Sequence, residues 1–206
     1  EQRMASHPEW MELALWGDEP AAMLTMIPCA LHIQGHGVFQ SGFYYALTTD
    51  PAHRGRGIAP RLMANAAERR IGRGMDCLLG VPDTGSLFTY YHRVDRHRTA
   101  FYTRILLTTR EAFDGCPGIP PERVDAEEYR AIREEYLAGR TYLSWDADAV
   151  DFQREICRQG GGDLYRFPGK RTGCAAAQYT EDGTLLLNEL LAPEEELAAC
   201  LSGLLE

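Results

Sequence analysis

The sharpest change of pattern along the chain falls in residues 43–74, FYYALTTDPAHRGRGIAPRLMANAAERRIGRG. Phe43–Thr49 is rich in aromatic and β-branched residues and reads as a buried strand, ended by Asp50-Pro51. Beyond the turn, Ile58, Ala59, Leu62, Met63, Ala66 and Ala67 recur at helical spacing, with Arg61, Asn65, Glu68 and Arg69 on the opposite face. Pro60 suits a first helical turn, and Gly72 or Gly74 can stop the helix. Upstream, Leu13–Trp16 and Ala21–Cys29 predict two strands joined by Gly17-Asp18-Glu19-Pro20, with a third short strand over Leu31–Ile33. Downstream, Met75–Val81 predicts a short apolar strand closing at Pro82-Asp83, hence a parallel strand–helix–strand unit. Residues 1–11 carry too little pattern to assign, although Trp10 is expected to pack.

Between strand and helix stands Arg54-Gly55-Arg56-Gly57-Ile58-Ala59, whose glycines expose backbone N–H groups at a helix N-terminus, a site for phosphate. A Walker loop is excluded, because no Gly-Lys-Ser/Thr follows. A Rossmann turn fails at its third glycine, where Pro60 stands. The pattern resembles the pyrophosphate loop Q/R-x-x-G-x-G/A of the GNAT superfamily of N-acetyltransferases, with Arg54, Gly57 and Ala59 at the specified positions. The competing reading is a surface turn between ordinary elements.

That resemblance implies an α/β (α+β) fold with a mixed, mostly antiparallel sheet whose central strands splay apart. It implies acetyl-CoA as co-substrate, the pyrophosphate on Arg54–Ala59 and the pantetheine amides on the backbone of Leu47, Thr48 and Thr49. The superfamily's opening strand and two helices are not found. Since the chain starts at Glu1 rather than Met, N-terminal elements are expected to be missing. Residues 86–104 resemble the family's fourth helix and final strand, with Tyr90-Tyr91 in its Phe-Tyr place and Asp95-Arg96 where Gly-Phe is usual. Tyr91 would then protonate the departing CoA thiolate. It shares a helical face with Leu87, whereas Tyr90 is turned about 100° away. The bland alternative makes Tyr91 core filler.

Residues 110–123 are rich in Pro and Gly and mark a boundary, dividing the chain into lobes 1–110 and 124–206 with a linker at 111–123. In the second lobe, Asp125 and Glu128 open a helix to Ala138 with an Asp form of the capping box. Asp148 is read as the cap of a helix to Gln159. Strands are expected over Asp163–Phe167, Gly173–Tyr179 and Thr184–Leu191, then a helix Pro193–Leu205 with Leu197, Leu201, Leu204 and Leu205 inward. This order echoes a second, smaller GNAT-like lobe. Together with Pro28-Cys-Ala-Leu31, the 54–57 turn, Pro82 and Asn188-Glu189-Leu190, it resembles bacterial two-lobed acetyltransferases of the enhanced-intracellular-survival type. The 206 residues leave no room for the sterol-carrier-like domain those proteins generally add.

Composition narrows the partners. A formal charge of −9 argues against general affinity for nucleic acid or anionic membranes. No apolar run approaches the ~20 residues of a membrane span. The six scattered cysteines, with no C-x-x-C, are expected as free thiols in a reducing compartment, the cytoplasm. No metal is called for: His92 and His97 lie five apart, wrong for two ligands on one helix face. The basic cluster at 92–104 is either a solvated face or an attractor for CoA phosphates. The acceptor is expected to be a small-molecule or peptide amine, and an oligomer is possible.

The missing piece is a base, because Phe43–Thr49 carries no carboxylate. Glu189 is a candidate only if it faces a cleft, and otherwise has a structural partner. Cys77 is read as a core thiol rather than a nucleophile, since no His or basic partner lies near it in sequence. A CoA-binding module without catalysis, or an interaction domain with a vestigial turn, are the rival classes. The nearest echo of the loop, Lys170–Ala175, runs into strand residues, so one CoA per chain is expected.

Overall fold

The chain divides into two compact units, Glu1–Thr103 with Tyr142–Ser144 and Arg104–Thr141 with Trp145–Glu206. The computed structural model describes residues 7–94, 97–101 and 106–206.

The first unit is built on strands β1 (Met11–Trp16), β2 (Glu19–Ile33), β3 (Gly37–Thr49) and β4 (Cys77–Gly80), with helices α1 (Ile58–Ile71) and α2 (Gly85–Val94). The strands lie in that order, and β6 (Tyr142–Trp145) also pairs with β2. β1, β2 and β3 pair antiparallel, whereas β3 and β4 run parallel around the crossover through α1. Ala22, Leu24 and Met26 alternate along β2 and meet Leu62, Met63 and Ala66 of α1 in one cluster, with Tyr44 of β3. Leu62 and Met63 are 5% and 0% exposed, and burying each contributes about 2 kcal/mol. Arg61, Asn65, Glu68 and Arg69 are exposed as their spacing requires. Glu12 of β1 pairs with Arg69 at 2.5 Å and Arg70 at 3.8 Å, tying the outer face of α1 to the sheet edge.

Several expectations need correction here. The strands read separately over Ala21–Cys29 and Leu31–Ile33 are one continuous β2. Pro28 lies within it, opposite Gly42 of β3 and beyond Thr25, the last β2 residue that β1 pairs. Met75–Val81 narrows to Cys77–Gly80. Of the expected final strand after α2, residues 97–101 form none, and 102–105 lie outside the described residues, as do Asp95 and Arg96. Trp10 packs as expected, at 4% exposure.

The second unit has the antiparallel order β5 (Glu122–Arg123), β7 (Asp163–Phe167), β8 (Gly173–Tyr179), β9 (Leu185–Leu191). Its helices are α3 (Ala126–Leu137), α4 (Ala147–Gln159) and α5 (Leu197–Leu205). The small residues of β8 let helices close on both faces. Cys174 and Ala176 join Tyr129, Val150 and Cys157 of α3 and α4, while Ala175 joins Cys200 and Leu204 of α5. Asp125 caps α3 as expected, accepting from Glu128 N at 2.8 Å. The cap of α4 is Asp146, accepting from Ala149 N, rather than Asp148, which sits inside the first turn.

In α5 the buried residues are Cys200, Ser202, Gly203 and Leu204, whereas Leu197, Leu201 and Leu205 stay half-buried. The Pro/Gly-rich stretch causes this. Ile119 N donates to Ala199 O, Ser202 Oγ donates to Cys116 O, and a Cβ on Gly203 would lie 2.0 Å from Ile119 O. Residues 116–119 thus pack along α5 instead of hanging free. All six cysteines are free thiols. Among the described residues, no helix is long and apolar enough to cross a membrane.

Candidate functional site

The turn after β3 is held by its own side chains. Asp50 N donates to Ala21 O on β2, and Asp50 Oδ1 accepts from Ala52 N at 2.8 Å, starting a single 3-10 turn over Pro51–His53. Arg54 is extended, and its Nε reaches back to Thr49 O at 3.1 Å. Gly55 and Gly57 adopt φ of +74° and +72°, left-handed conformations that cost a residue with a Cβ about 1–2 kcal/mol. Gly57 is the N-cap of α1 and supplies no side-chain cap; a Cβ there would meet nothing within 4 Å. The first N–H groups of α1 therefore face open space with no capping side chain, the arrangement that receives phosphate oxygens. Arg54, Gly55, Arg56 and Gly57 are exposed, and Ile58 and Ala59 half-buried.

Beside that turn the two parallel strands part. β3 and β4 pair from Ser41↔Cys77 to Tyr44↔Gly80. There β4 ends, whereas β3 continues to Thr49. At the same point the register with β2 slips, from Met26↔Tyr44 to Thr25↔Ala46, leaving Tyr45 as a bulge. A bulge bends and twists its strand, and this one falls next to the last residue that β3 pairs with β4. Leu47 packs on the core, Thr48 is exposed and Thr49 half-buried. Leu47, Thr48 and Thr49 all pair with β2, opposite Leu24, Met23 and Ala22, and Thr49 O also accepts from Arg54 Nε.

α2 brings Tyr91 to the same unit's core. Its ring meets Tyr90 edge-on at 5.3 Å and His97 at 5.8 Å, and His97 lies 5.6 Å from the ring of Tyr44, the last β3 residue paired with β4. Leu87 is 37% exposed, whereas Tyr90 and Tyr91 are both half-buried against one cluster. Tyr90, with Ser86, Thr89, Arg93 and Val94, lines a cavity of about 440 Å³. Nothing in the sequence spacing marks His97 as a neighbour of Tyr91.

The other candidates have structural partners. Glu189 Oε2 accepts from Arg133 Nε at 2.7 Å and Tyr129 OH at 2.9 Å inside the second unit. Burial, followed by the charge of Glu189, pushes the Tyr129 hydroxyl well above its usual range. Cys77 Sγ lies 3.0 Å from Ser41 Oγ across the β3–β4 pair. Burial raises the Cys174 thiol to about 12 and Cys200 to about 11, which suppresses the thiolate a nucleophile needs. His92 Nε2 contacts Thr99 Oγ1 at 3.5 Å. No group of His, Cys, Asp and Glu among the described residues could hold a metal ion.

Residues 1–96, a little under half of the chain, match the family model of the acetyltransferase (GNAT) domain. Over nearly its whole length the chain is similar in fold to several larger solved structures. It is similar to a GCN5-related N-acetyltransferase from Kribbella flavida (17% identity, TM-score 0.63, 96% of this chain and 50% of that one). It is similar to Eis1 from Mycobacterium abscessus (14% identity, TM-score 0.62, 95% and 53%). It is also similar to a probable N-acyltransferase from Enterococcus faecalis V583 (12% identity, TM-score 0.66, 98% and 53%). The chain therefore spans about half the length of these structures. No curated protein sequence matches it. The two-lobed resemblance read from the sequence holds at the level of fold.

Proposed function

We propose that the protein transfers an acetyl group from acetyl-CoA to an amine by direct attack in a ternary complex. The observation that carries this reading is the uncapped N-terminus of α1, opened by left-handed Gly55 and Gly57, beside the point where β3 outruns β4. Pyrophosphate would sit on the N–H groups of residues 55–59, and pantetheine would run along Leu47 and Thr48 into the gap. An N–H of β3 past the bulge would stabilise the oxyanion that forms when a neutral amine attacks the thioester carbonyl. Tyr91 would then give its phenolic proton to the leaving thiolate. A water chain would take the amine's proton, since Glu189 is engaged with Arg133 and Tyr129. The lobe 1–110 would carry the whole of the CoA site. The second lobe lacks an equivalent, because Lys170–Ala175 leads into β8 and not into a helix.

The absence of a carboxylate on Phe43–Thr49 favours one other reading, a CoA-binding regulatory module without turnover. A calorimetric titration with CoA, followed by a panel of amines with thiol detection, separates the two. One CoA per chain with thiol release supports the transferase. One CoA per chain without release from any amine supports the module. No CoA binding removes both.

A further inference from the structure

The two arginines of the glycine turn have different fates. Arg54 is turned inward onto Thr49 O. Arg56 is turned outward, its guanidinium 4.9 Å from the ring centroid of Trp16, with the His53 ring 6.0 Å from the same indole. Trp16 ends β1 and is 52% exposed, an unusual place for so large an apolar side chain. A stacked guanidinium keeps its N–H donors in the ring plane, oriented for the paired oxygens of a phosphate. Stacking thus fixes a side chain that would otherwise lose rotamer freedom on binding. The sheet order locates this pair. The gap between β3 and β4 lies on one flank of β3, and Trp16 of β1 lies two strands away on the other. A CoA whose pyrophosphate rests on the turn and whose pantetheine enters the gap must lead its nucleoside away from that gap, and the Arg56–Trp16 side is open to it.

Resting on the acetyl-CoA reading above, we infer that Arg56, held on Trp16, is the receptor for the 3′-phosphate of CoA. The pair would distinguish CoA from the same molecule lacking that phosphate. The neighbouring acids oppose a phosphate in part: Asp18 in the β1–β2 turn and Glu19 at the start of β2 are exposed, whereas Asp50 is engaged with Ala52 N. A stacked, fork-shaped cation is what such a setting requires, and a mobile lysine would serve less well.

The test is calorimetry of the full chain with CoA and with dephospho-CoA. Wild type should prefer CoA by about tenfold or more, the worth of a charge-assisted hydrogen bond. Arg56→Ala should bring CoA down to the affinity of dephospho-CoA and leave dephospho-CoA unchanged. Arg56→Lys should keep only part of the preference, and Trp16→Leu should lose part of it with the charge intact. Thermal melting establishes that each variant is folded. Equal wild-type affinities for the two ligands would overturn the inference while the transferase reading stands. An equal loss for both ligands in Arg56→Ala would also overturn it, showing that Arg56 only shapes the turn. Failure of wild type to bind either ligand would overturn the functional reading itself.

Discussion

Gly57→Asp sets the stability of the turn against its proposed task, with opposite signs. In the folded chain Gly57 has φ +72° and ψ 18°, and no atom lies within 4 Å of where a Cβ would stand. The only folding penalty is backbone strain, about 1–2 kcal/mol for an ordinary residue and less for Asp, which visits this region more readily. A carboxylate at the N-cap of α1 also gains about 0.3–1 kcal/mol from the helix dipole and can cap free N–H groups. Gly57→Asp should therefore fold within about 1 kcal/mol of wild type, whereas Gly57→Ala carries the strain without the gain. Binding runs the other way. A carboxylate about 4 Å from a phosphate oxygen repels it by about 1 kcal/mol in water and about 4 kcal/mol at an effective dielectric of 20. The exposed turn lies near the water limit, so two phosphate charges give about 2–4 kcal/mol, or about 30- to 700-fold weaker CoA binding. Thermal melts should rank wild type and Asp above Ala, and calorimetry should rank wild type above Ala above Asp. Equal CoA affinities for wild type and Gly57→Asp would refute the placement of pyrophosphate.

Three further outcomes are expected. Tyr91→Phe should lower kcat by about 10²-fold or less while CoA affinity stays, and the loss should shrink above about pH 8.5, where the thiolate needs no proton. If Tyr90→Phe alone slows turnover, the acid is instead the tyrosine lining the cavity. Glu189→Leu should destabilise the second unit by about 3–5 kcal/mol in denaturant unfolding, because it removes the carboxylate that buried Arg133 and Tyr129 share. A variant of unaltered stability that has lost turnover would mean that Glu189 is the missing base. Asp163, 1% exposed, would be raised by its burial, yet hydrogen bonds from Arg154, Leu164 N and Arg158 outweigh this and hold it below the usual range. Its contribution should be complete above about pH 4 and fade as pH falls through the lowered value. Unfolding of wild type and Asp163→Asn at pH 7 and pH 3 should show the two converging in acid, and a constant gap would refute it.

The elements that local chemistry controls were legible in the sequence. Apolar residues at helical spacing placed the buried face of α1, since Leu62, Met63 and Ala66 leave a helix no other side to bury. The glycine turn was legible because only glycine accepts left-handed φ at two such positions without strain. Asp125 announced α3 through its own hydrogen bond to Glu128 N. Features set by partners distant in the chain were not legible. β6 is four residues whose place on β2 depends on a strand more than a hundred positions earlier. The bulge at Tyr45 exists only in the pairing of β3 with β2, and the parting of strands only in where β4 ends. In α5 the rotation that buries Cys200 and Gly203 is imposed by the backbone of residues 116–119, against the pull of its leucines. Glu189 reads in sequence as a lone carboxylate in an apolar strand, and only the packing of α3 against the second sheet supplies Arg133 and Tyr129. Arg56 on Trp16 is of the same kind: a one-dimensional pattern records which residues can pair, and tertiary structure decides which of them meet.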